Sequence, residues 1–272
     1  MRPGRDDIAL PPFPPTTGWI GDEPVAGERL TARGPLLVHF FEAGELSGIR
    51  TLPFVSGLHD RYRESGLSVL GVHSPRSDLA RSDDALAGAV RRLELPFPVA
   101  NDREHRIWHA YGCKGWPSTF LWGRGGTLRW VRFGEGAYHE TEAEVRAELR
   151  GGDGHDLPEP TLGPPVRSSG PGLEKPSDEV FPGGSYDRPW TPSEPGEPLI
   201  VEYAGGGAWA ALDGAGTVSV ALDSEPTSDL QAAEPGLYEL TSHDRHGLHE
   251  VRLDLDGEVR IWSLAFTPGP AA

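Results

Sequence analysis

The chain has 272 residues, a formal net charge of -16 and a single cysteine, Cys113. Residues 1–150 carry 19 Lys and Arg against 20 Asp and Glu, whereas residues 151–272 carry 6 against 21. This uneven charge predicts two domains, and the acidic half disfavours nucleic acid because it would repel phosphates. A single cysteine excludes an intramolecular disulfide, a cysteine-rich zinc site and a two-cysteine redox cycle.

The first 19 residues contain no apolar stretch long enough for a signal peptide, and prolines interrupt the apolar sequence that is there. No segment of the chain reaches the length that is needed to cross a bilayer. We therefore expect a cytoplasmic protein that does not contact a membrane.

The N-terminal half alternates predicted strands and helices. The predicted strands are PLLVHFF (35–41), GLSVLGVHS (66–74), FPVAND (97–102) and a hairpin over 118–135 with the turn GRGGT. The predicted helices are 47–65, which contains Pro53, 82–95, which Ser82 caps, 103–112 and 141–150. The order β-α-β-α-β-α-β-β-α is typical of an α/β sheet with helices on both faces.

The C-terminal part has a different composition. Residues 151–184 are rich in Pro, Gly, Ser and acidic residues, which predicts a linker. From residue 199 onward, short stretches of alternating polarity predict the strands of a small antiparallel β-sandwich over 185–272. AGGGAW (204–209) is predicted to be a turn between two of these strands.

Several motifs occur together in one order in the N-terminal half. They are RTLPFV (50–55), GLSVLGVHSP (66–75), FPVAND (97–102), IWHAYG (107–112), WPSTFLW (116–122) and FGEGAYHETE (133–142). In this order they resemble a TlpA-type thioredoxin domain, and more narrowly the soluble C-terminal region of the DipZ family. That region joins a thioredoxin domain to a β-sandwich similar to a carbohydrate-binding module. The resemblance implies a thioredoxin fold, a central mixed sheet flanked by helices, over residues 1–150.

The redox motif of the family is absent. In the family, a C-x-x-C motif ends five residues before the proline of the first helix. Counting back from Pro53 places the two cysteine positions at Glu45 and Gly48, and neither residue carries sulfur. A carboxylate at a helix N-terminus is favoured by roughly 0.3–1 kcal/mol, so Glu45 is a candidate electrostatic replacement for the thiolate. The alternative is that both residues are ordinary loop and cap residues.

The sequence GWPST carries the other half of the family's site. The resemblance implies that Pro117 is cis and faces the two former cysteine positions. The backbone of Trp116 would then present an edge for an extended partner chain, a form of strand addition. We therefore predict binding residues Glu45, Gly48, Trp116 and Pro117 and no catalytic residue. The alternative for Trp116 is a place in the wall of the core.

Cys113 is the one thiol available for chemistry. A lone cysteine is commonly a small buried apolar residue, and this is the expectation here. The alternative is a thiol-disulfide oxidoreductase or peroxidase that acts through Cys113, which would need an exposed thiol beside a cation. Only Lys114 is adjacent in sequence.

His243, His246 and His249 have loosely metal-like spacing, but a Gly-containing turn should scatter their side chains. We therefore expect no metal site, and no cofactor of any kind. His73 is expected to be structural. Calcium could bind the many Asp residues, but solvated turns explain these residues more simply.

A glycan-binding module is the third alternative, because sugar-binding sandwiches stack rings on exposed aromatic side chains. The candidate aromatic residues are Trp190, Tyr203, Trp209, Tyr238 and Trp262. We expect them in the core of the sandwich instead. The leading hypothesis is a redox-inactive thioredoxin-fold protein that binds a peptide or protein segment.

Overall fold

The computed structural model describes residues 8–15, 17–21, 27–151, 156–161 and 172–271. They form two compact units. Unit 1 takes its described residues from Met1–Glu42, Ser47–Pro75 and Val90–Arg167, and unit 2 from Ala43–Leu46, Arg76–Ala89 and Ser168–Ala272. Residues 152–155 and 162–171 of the predicted linker lie outside the described residues.

Unit 1 contains a six-stranded mixed sheet. Its strands are β1 (Gly18–Ile20), β2 (Leu36–Phe41), β3 (Ser68–His73), β4 (Val99–Asn101), β5 (Ser118–Trp122) and β6 (Leu128–Phe133). Their order across the sheet is β1-β4-β3-β2-β5-β6. Strands β2, β3 and β4 are parallel, and the other pairs are antiparallel. Every residue of β2 is buried, which is why it forms a continuous apolar run.

The five α-helices of the described residues are α1 (Leu46–Tyr62), α2 (Asp78–Arg81), α3 (Asp83–Arg92), α4 (Arg106–Tyr111) and α5 (Tyr138–Arg150). The predicted helix 82–95 is α3, and the Ser82 Oγ accepts the Ala85 N–H at 3.0 Å, as expected of a cap. The predicted α/β fold with a mixed sheet is confirmed. No helix among the described residues is long and apolar enough to span a bilayer.

One core cluster of unit 1 lies between the sheet and α4. Side chains two residues apart on a strand share a face, so Phe120 and Trp122 of β5 both face this core. They pack with Tyr111 of α4, whose ring centroid lies 5.5 Å from that of Phe120 and 5.7 Å from that of Trp122. Aromatic packing thus holds the end of α4 against the middle and the end of β5.

The C-terminal part of unit 2 is an antiparallel all-β structure, as predicted. Its long strands are β8 (Leu199–Asp213), β9 (Gly216–Leu222), β10 (Glu225–Ala232), β11 (Gly236–Gly257) and β12 (Arg260–Thr267), in the order β10-β9-β11-β8-β12. Two short strands, β7 (Leu173–Glu174) and β13 (Gly269–Pro270), form a separate pair. Val180 also forms an isolated bridge to Leu264. Leu173, Glu174 and Val180 therefore pair with strands of the β structure, within the range 151–184 that the sequence predicted to be a linker.

The prediction that AGGGAW forms a turn is wrong. These residues lie inside β8, and Gly207 is paired with Ser242 of β11 on one side and with Thr267 of β12 on the other. A Cβ atom on Gly207 would lie 2.6 Å from the carbonyl oxygen of Thr241. Gly207 therefore allows neighbouring backbone segments to lie close together in the sheet, which is a common reason for a glycine within a strand.

Candidate functional site

The Trp116–Pro117 turn lies at the carboxyl end of β2. The peptide bond between the two residues is cis. The next residue, Ser118, is paired with Phe40 of β2 and donates from its Oγ to the carbonyl oxygen of Gly115 at 2.6 Å. The carbonyl oxygen of Pro117 accepts the N–H of Gly134 at 2.7 Å. Contacts on both sides of the turn therefore fix its position at this sheet edge.

The start of α1 adjoins the same edge. Gly48 is buried in the first turn of this helix. Half a turn further along α1, the Arg50 Nε lies 3.5 Å from the Glu135 Oε1. Glu135 belongs to the loop in which the Gly134 N–H donates to the carbonyl oxygen of Pro117. Within unit 1, the start of α1 and the Trp116–Pro117 turn thus both contact the loop that contains Gly134 and Glu135.

The four predicted binding residues divide between the two units. Gly48, Trp116 and Pro117 belong to unit 1, whereas Glu45 belongs to unit 2. Glu45 is half-buried and is the residue immediately before α1, where a carboxylate meets the positive end of the helix dipole. Three of the four predicted residues therefore lie within one unit.

Trp116 is half-buried, and its indole nitrogen is hydrogen-bonded whereas its backbone groups are not. Its Nε1 donates to the carbonyl oxygen of Ser74 at 3.0 Å, and its ring centroid lies 4.4 Å from that of Trp108. Among the described residues, its backbone N–H and C=O have no hydrogen-bond partner. The indole also packs against the core of unit 1, as the alternative reading of Trp116 expected. The two unused backbone groups beside it are what an extended peptide could pair with.

Two residues that the sequence analysis missed hold Trp116 in place. The Ser74 Oγ donates to the Asp102 Oδ2 at 2.9 Å, and the buried Asp102 also accepts the N–H groups of Ile107 and Trp108 at 2.9 and 2.8 Å. Asp102 therefore caps the first turn of α4 and orients the Ser74 carbonyl that holds the indole. An Asp just before a helix is a capping signal, so Asp102 could have been found from the sequence.

Cys113 is half-buried and packs against the core of unit 1. Burial raises the pKa of its thiol well above the usual value, a hydrogen bond with Ser118 lowers it in part, and the charge of Asp102 raises it by a smaller amount. The exposed Lys114 has its Nζ 5.9 Å from the centroid of the Phe133 ring. The thiol is therefore protonated at neutral pH, and a protonated thiol is a poor nucleophile.

We expect the Cys113 thiol to react with a thiol-specific disulfide reagent about a hundredfold more slowly in the native chain than after denaturation, because only the thiolate reacts and burial disfavours it. The measurement is the rate of colour release with Ellman's reagent at pH 7.5, with and without 6 M guanidinium. Native reactivity equal to that of the denatured chain would contradict the assignment of Cys113 as a packing residue.

The histidines at 243 and 249 are not scattered, which corrects the expectation from the sequence. Their ring centroids lie 4.0 Å apart, and the His249 Nδ1 lies 2.9 Å from the Asp223 Oδ2. The Tyr203 hydroxyl lies 2.8 Å from the His243 Nε2. Burial lowers the pKa of His243, and the neighbouring His249 lowers it further. Within the described ranges, no group of three or more His, Cys, Asp or Glu side chains is arranged to hold a metal ion.

The aromatic residues considered for glycan binding are largely withdrawn from the surface. Tyr203 and Trp262 are buried, and Trp209 is half-buried. The other two, Trp190 and Tyr238, are partly buried and pack against the core of the β structure. A groove of about 700 Å³ lies over β9, β10 and β11, but the residues that line it include no aromatic side chain. It offers no ring on which a sugar could stack.

Comparisons with known proteins show what the chain is similar to. Protein DipZ of Mycobacterium bovis is 30% identical over 197 residues, which are 71% of this chain and 26% of DipZ. The chain belongs to the thioredoxin-like superfamily. Thiol-disulfide oxidoreductase ResA of Bacillus thuringiensis is 25% identical over 97 residues, which are 36% of this chain and 53% of ResA. This thioredoxin-like chain thus spans about a quarter of the length of DipZ and retains one cysteine.

Among solved structures, a thioredoxin-like protein in the oxidised form has a TM-score of 0.47 and 25% identity to the chain. The match covers 52% of this chain and 97% of that protein. No protein-family model matches the chain. With a single cysteine, this member of the superfamily has no C-x-x-C motif at α1 or anywhere else in its sequence.

Proposed function

We propose that this thioredoxin-like chain is redox-inactive and binds an extended peptide or protein segment at the Trp116–Pro117 turn. The observation that carries the proposal is that the two backbone groups of the partly buried Trp116 have no partner among the described residues. An extended segment lying along the turn would pair with these groups, while its side chains contact the indole. This mode of binding needs no sulfur.

Gly48 is buried in the first turn of α1, so the link between this helix and the turn comes from Arg50 instead. Arg50 pairs with Glu135, which belongs to the loop that also holds the carbonyl of Pro117.

The competing function is a thiol-disulfide oxidoreductase, the activity that the name of ResA states. In this chain it would have to proceed through Cys113 alone. The raised pKa of that thiol keeps it protonated, and no second cysteine exists to resolve a mixed disulfide. A binding function therefore agrees better with a single protonated thiol than an oxidoreductase function does. A cytoplasmic location belongs to the proposal, because a reducing compartment keeps a lone thiol such as that of Cys113 reduced.

The proposal is tested with an unfolded polypeptide whose thiols are blocked, reduced and carboxymethylated α-lactalbumin, so that disulfide exchange cannot contribute. We expect the wild-type chain to bind it and Trp116→Ala to bind it about tenfold or more weakly, because truncating a central aromatic anchor removes much of the binding energy. Trp209→Ala, which truncates a half-buried tryptophan in unit 2, is the matched control and should bind like the wild type.

Two results would contradict the proposal. One is equal affinity of the wild type and the Trp116→Ala variant for the blocked polypeptide. The other is reduction of insulin disulfides by the wild-type chain in the presence of dithiothreitol at a rate above that of dithiothreitol alone.

A further inference from the structure

A short segment that follows α5 is docked on unit 1. Residues 156–161 have the sequence DLPEPT and belong to unit 1, as do the described residues of α5 and most of α1. The segment forms neither helix nor strand. Pro158 and Pro160 each fix their own φ angle, and each disfavours the helical conformation in the residue before it. The segment is therefore extended, in the manner of proline-containing recognition motifs.

The buried carboxylate of Glu142 on α5 is the centre of the contact with this segment. Its Oε1 accepts the Thr161 N–H at 2.7 Å and the Tyr62 hydroxyl at 2.7 Å. Arg146, one turn further along α5, donates from its Nη1 to the Tyr62 hydroxyl at 2.8 Å and to the carbonyl oxygen of Pro158. Glu142 and Tyr62 are only 3% and 0% exposed, so packing holds this network in place. Two main-chain groups of the segment thus bond to charged side chains, and such hydrogen bonds are strong.

A third contact with the segment is also made to its backbone. Arg61, near the end of α1, donates from its Nη1 to the carbonyl oxygen of Glu159 at 2.5 Å. Pro158, Glu159 and Pro160 are themselves exposed. The α1–α5 face therefore recognises the path of the main chain, and the side chain between the two prolines is not read. The prolines favour docking because they restrict the undocked segment and so lower the entropy that docking removes.

We propose that the α1–α5 face is a second recognition site of unit 1, separate from the Trp116–Pro117 turn, for an extended Pro-x-Pro segment of a partner protein. The residue after the second proline must have an N–H group, because Glu142 accepts it. Residues 157–161 of the chain itself occupy the site in the folded protein. A tethered segment has an effective concentration in the millimolar range, so a partner segment binds only when it displaces this one.

The experiment measures binding of a fluorescent peptide, acetyl-DLPEPTLG-amide, to the full chain by fluorescence anisotropy. Thr161→Pro is the variant that releases the chain's own segment, because it removes the N–H that Glu142 accepts. A hydrogen bond to a charged group is worth about a factor of ten or more, so we expect the Thr161→Pro chain to bind the peptide about tenfold more tightly than the wild type. The matched control peptide, acetyl-DLPEPPLG-amide, lacks the same N–H and should bind about tenfold or more weakly.

Further variants on the Thr161→Pro background locate the bound peptide. Arg146→Gln and the exposed Arg61→Gln should each weaken binding about threefold or more, because each removes a charged donor to a peptide carbonyl. Arg150→Gln, at an exposed position of α5, is the matched control and should bind like the background chain, as should Trp116→Ala. Undetectable binding by a folded Thr161→Pro chain, equal affinity of that chain and the wild type, or a loss of binding in Trp116→Ala but not in Arg61→Gln would each overturn the proposal.

Discussion

The double replacement Glu45→Cys with Gly48→Cys is expected to give the chain thiol-disulfide exchange activity that the wild type lacks. The two positions flank the first turn of α1, with residue 45 immediately before the helix and residue 48 within it. A cysteine before a helix start has its pKa lowered by the helix dipole, to between about 3.5 and 7.5 in known cases. The second cysteine would then resolve the mixed disulfide.

The measurement is the rate of insulin reduction with dithiothreitol, for which we expect at least about a tenfold increase over the wild type because the thiolate fraction at pH 7 becomes large. Two single-cysteine variants, Glu45→Cys with Gly48→Ser and Glu45→Ser with Gly48→Cys, are the matched controls. They should form mixed disulfides at most and should not turn over.

A thiol count gives a second measure that does not depend on activity. After treatment with oxidised glutathione, the double variant should retain one free thiol, that of Cys113, and after reduction it should have three. A folded double variant that keeps all three thiols under oxidising conditions would show that positions 45 and 48 are not the former cysteine pair. The assignment of the whole candidate site to this sheet edge would then be wrong.

The sequence predicts the mixed sheet of unit 1 well because its central strands are buried on both faces and form continuous apolar runs. It does not predict β1, of three residues, or α2, of four residues, because each is shorter than the window over which a period can be read. The turn that the sequence predicts at Gly205–Gly207 is wrong, because glycine occurs both in turns and where strands lie close together. Only the neighbouring strands of unit 2 distinguish these two uses.

The candidate site shows the same limit. Positions 45, 48, 116 and 117 follow from the spacing of a family motif along the chain. The network that holds Trp116 joins residues 28 and 42 positions apart, Ser74 with Asp102 and Ser74 with Trp116. The stacking of His243 on His249 depends on a shift of register between Ser242 and Gly247 in β11. Such contacts depend on how strands and helices pack, and a local pattern does not contain them.

Acidification from pH 7 to pH 5 is expected to destabilise the chain strongly, through two histidines that the fold keeps neutral. His39 of β2 and His73 of β3 are fully buried. Burial lowers the pKa of each to about 3, from 6.5 for an exposed histidine, and the charge of His105 adds to the effect at His73. The His39 Nδ1 lies 2.9 Å from the Thr119 Oγ1, and its Nε2 has no partner among the described residues.

The sign of the effect follows from proton binding. Below pH 6.5 the unfolded chain takes up a proton at each of these histidines, whereas the folded chain does so only near pH 3. The unfolding free energy is therefore fully present above pH 6.5 and falls as the pH drops toward 3, by about 1.4 kcal/mol per pH unit for each histidine. At pH 5 the loss is about 2 kcal/mol for each, or about 4 kcal/mol for both. His243, whose pKa is also lowered, adds a loss of the same sign.

The measurement is urea unfolding at pH 7 and pH 5, followed by fluorescence, with the slope against urea concentration used to confirm that the same surface unfolds at both. His39→Asn keeps a polar atom near the Thr119 hydroxyl but removes one titrating group. It should lower the stability at pH 7 and reduce the difference between the two pH values by about 2 kcal/mol. If His39→Asn and the wild type lose the same free energy between pH 7 and pH 5, then His39 already binds its proton in the folded chain. The buried position between β3 and β5 that gives it a low pKa would then be wrong.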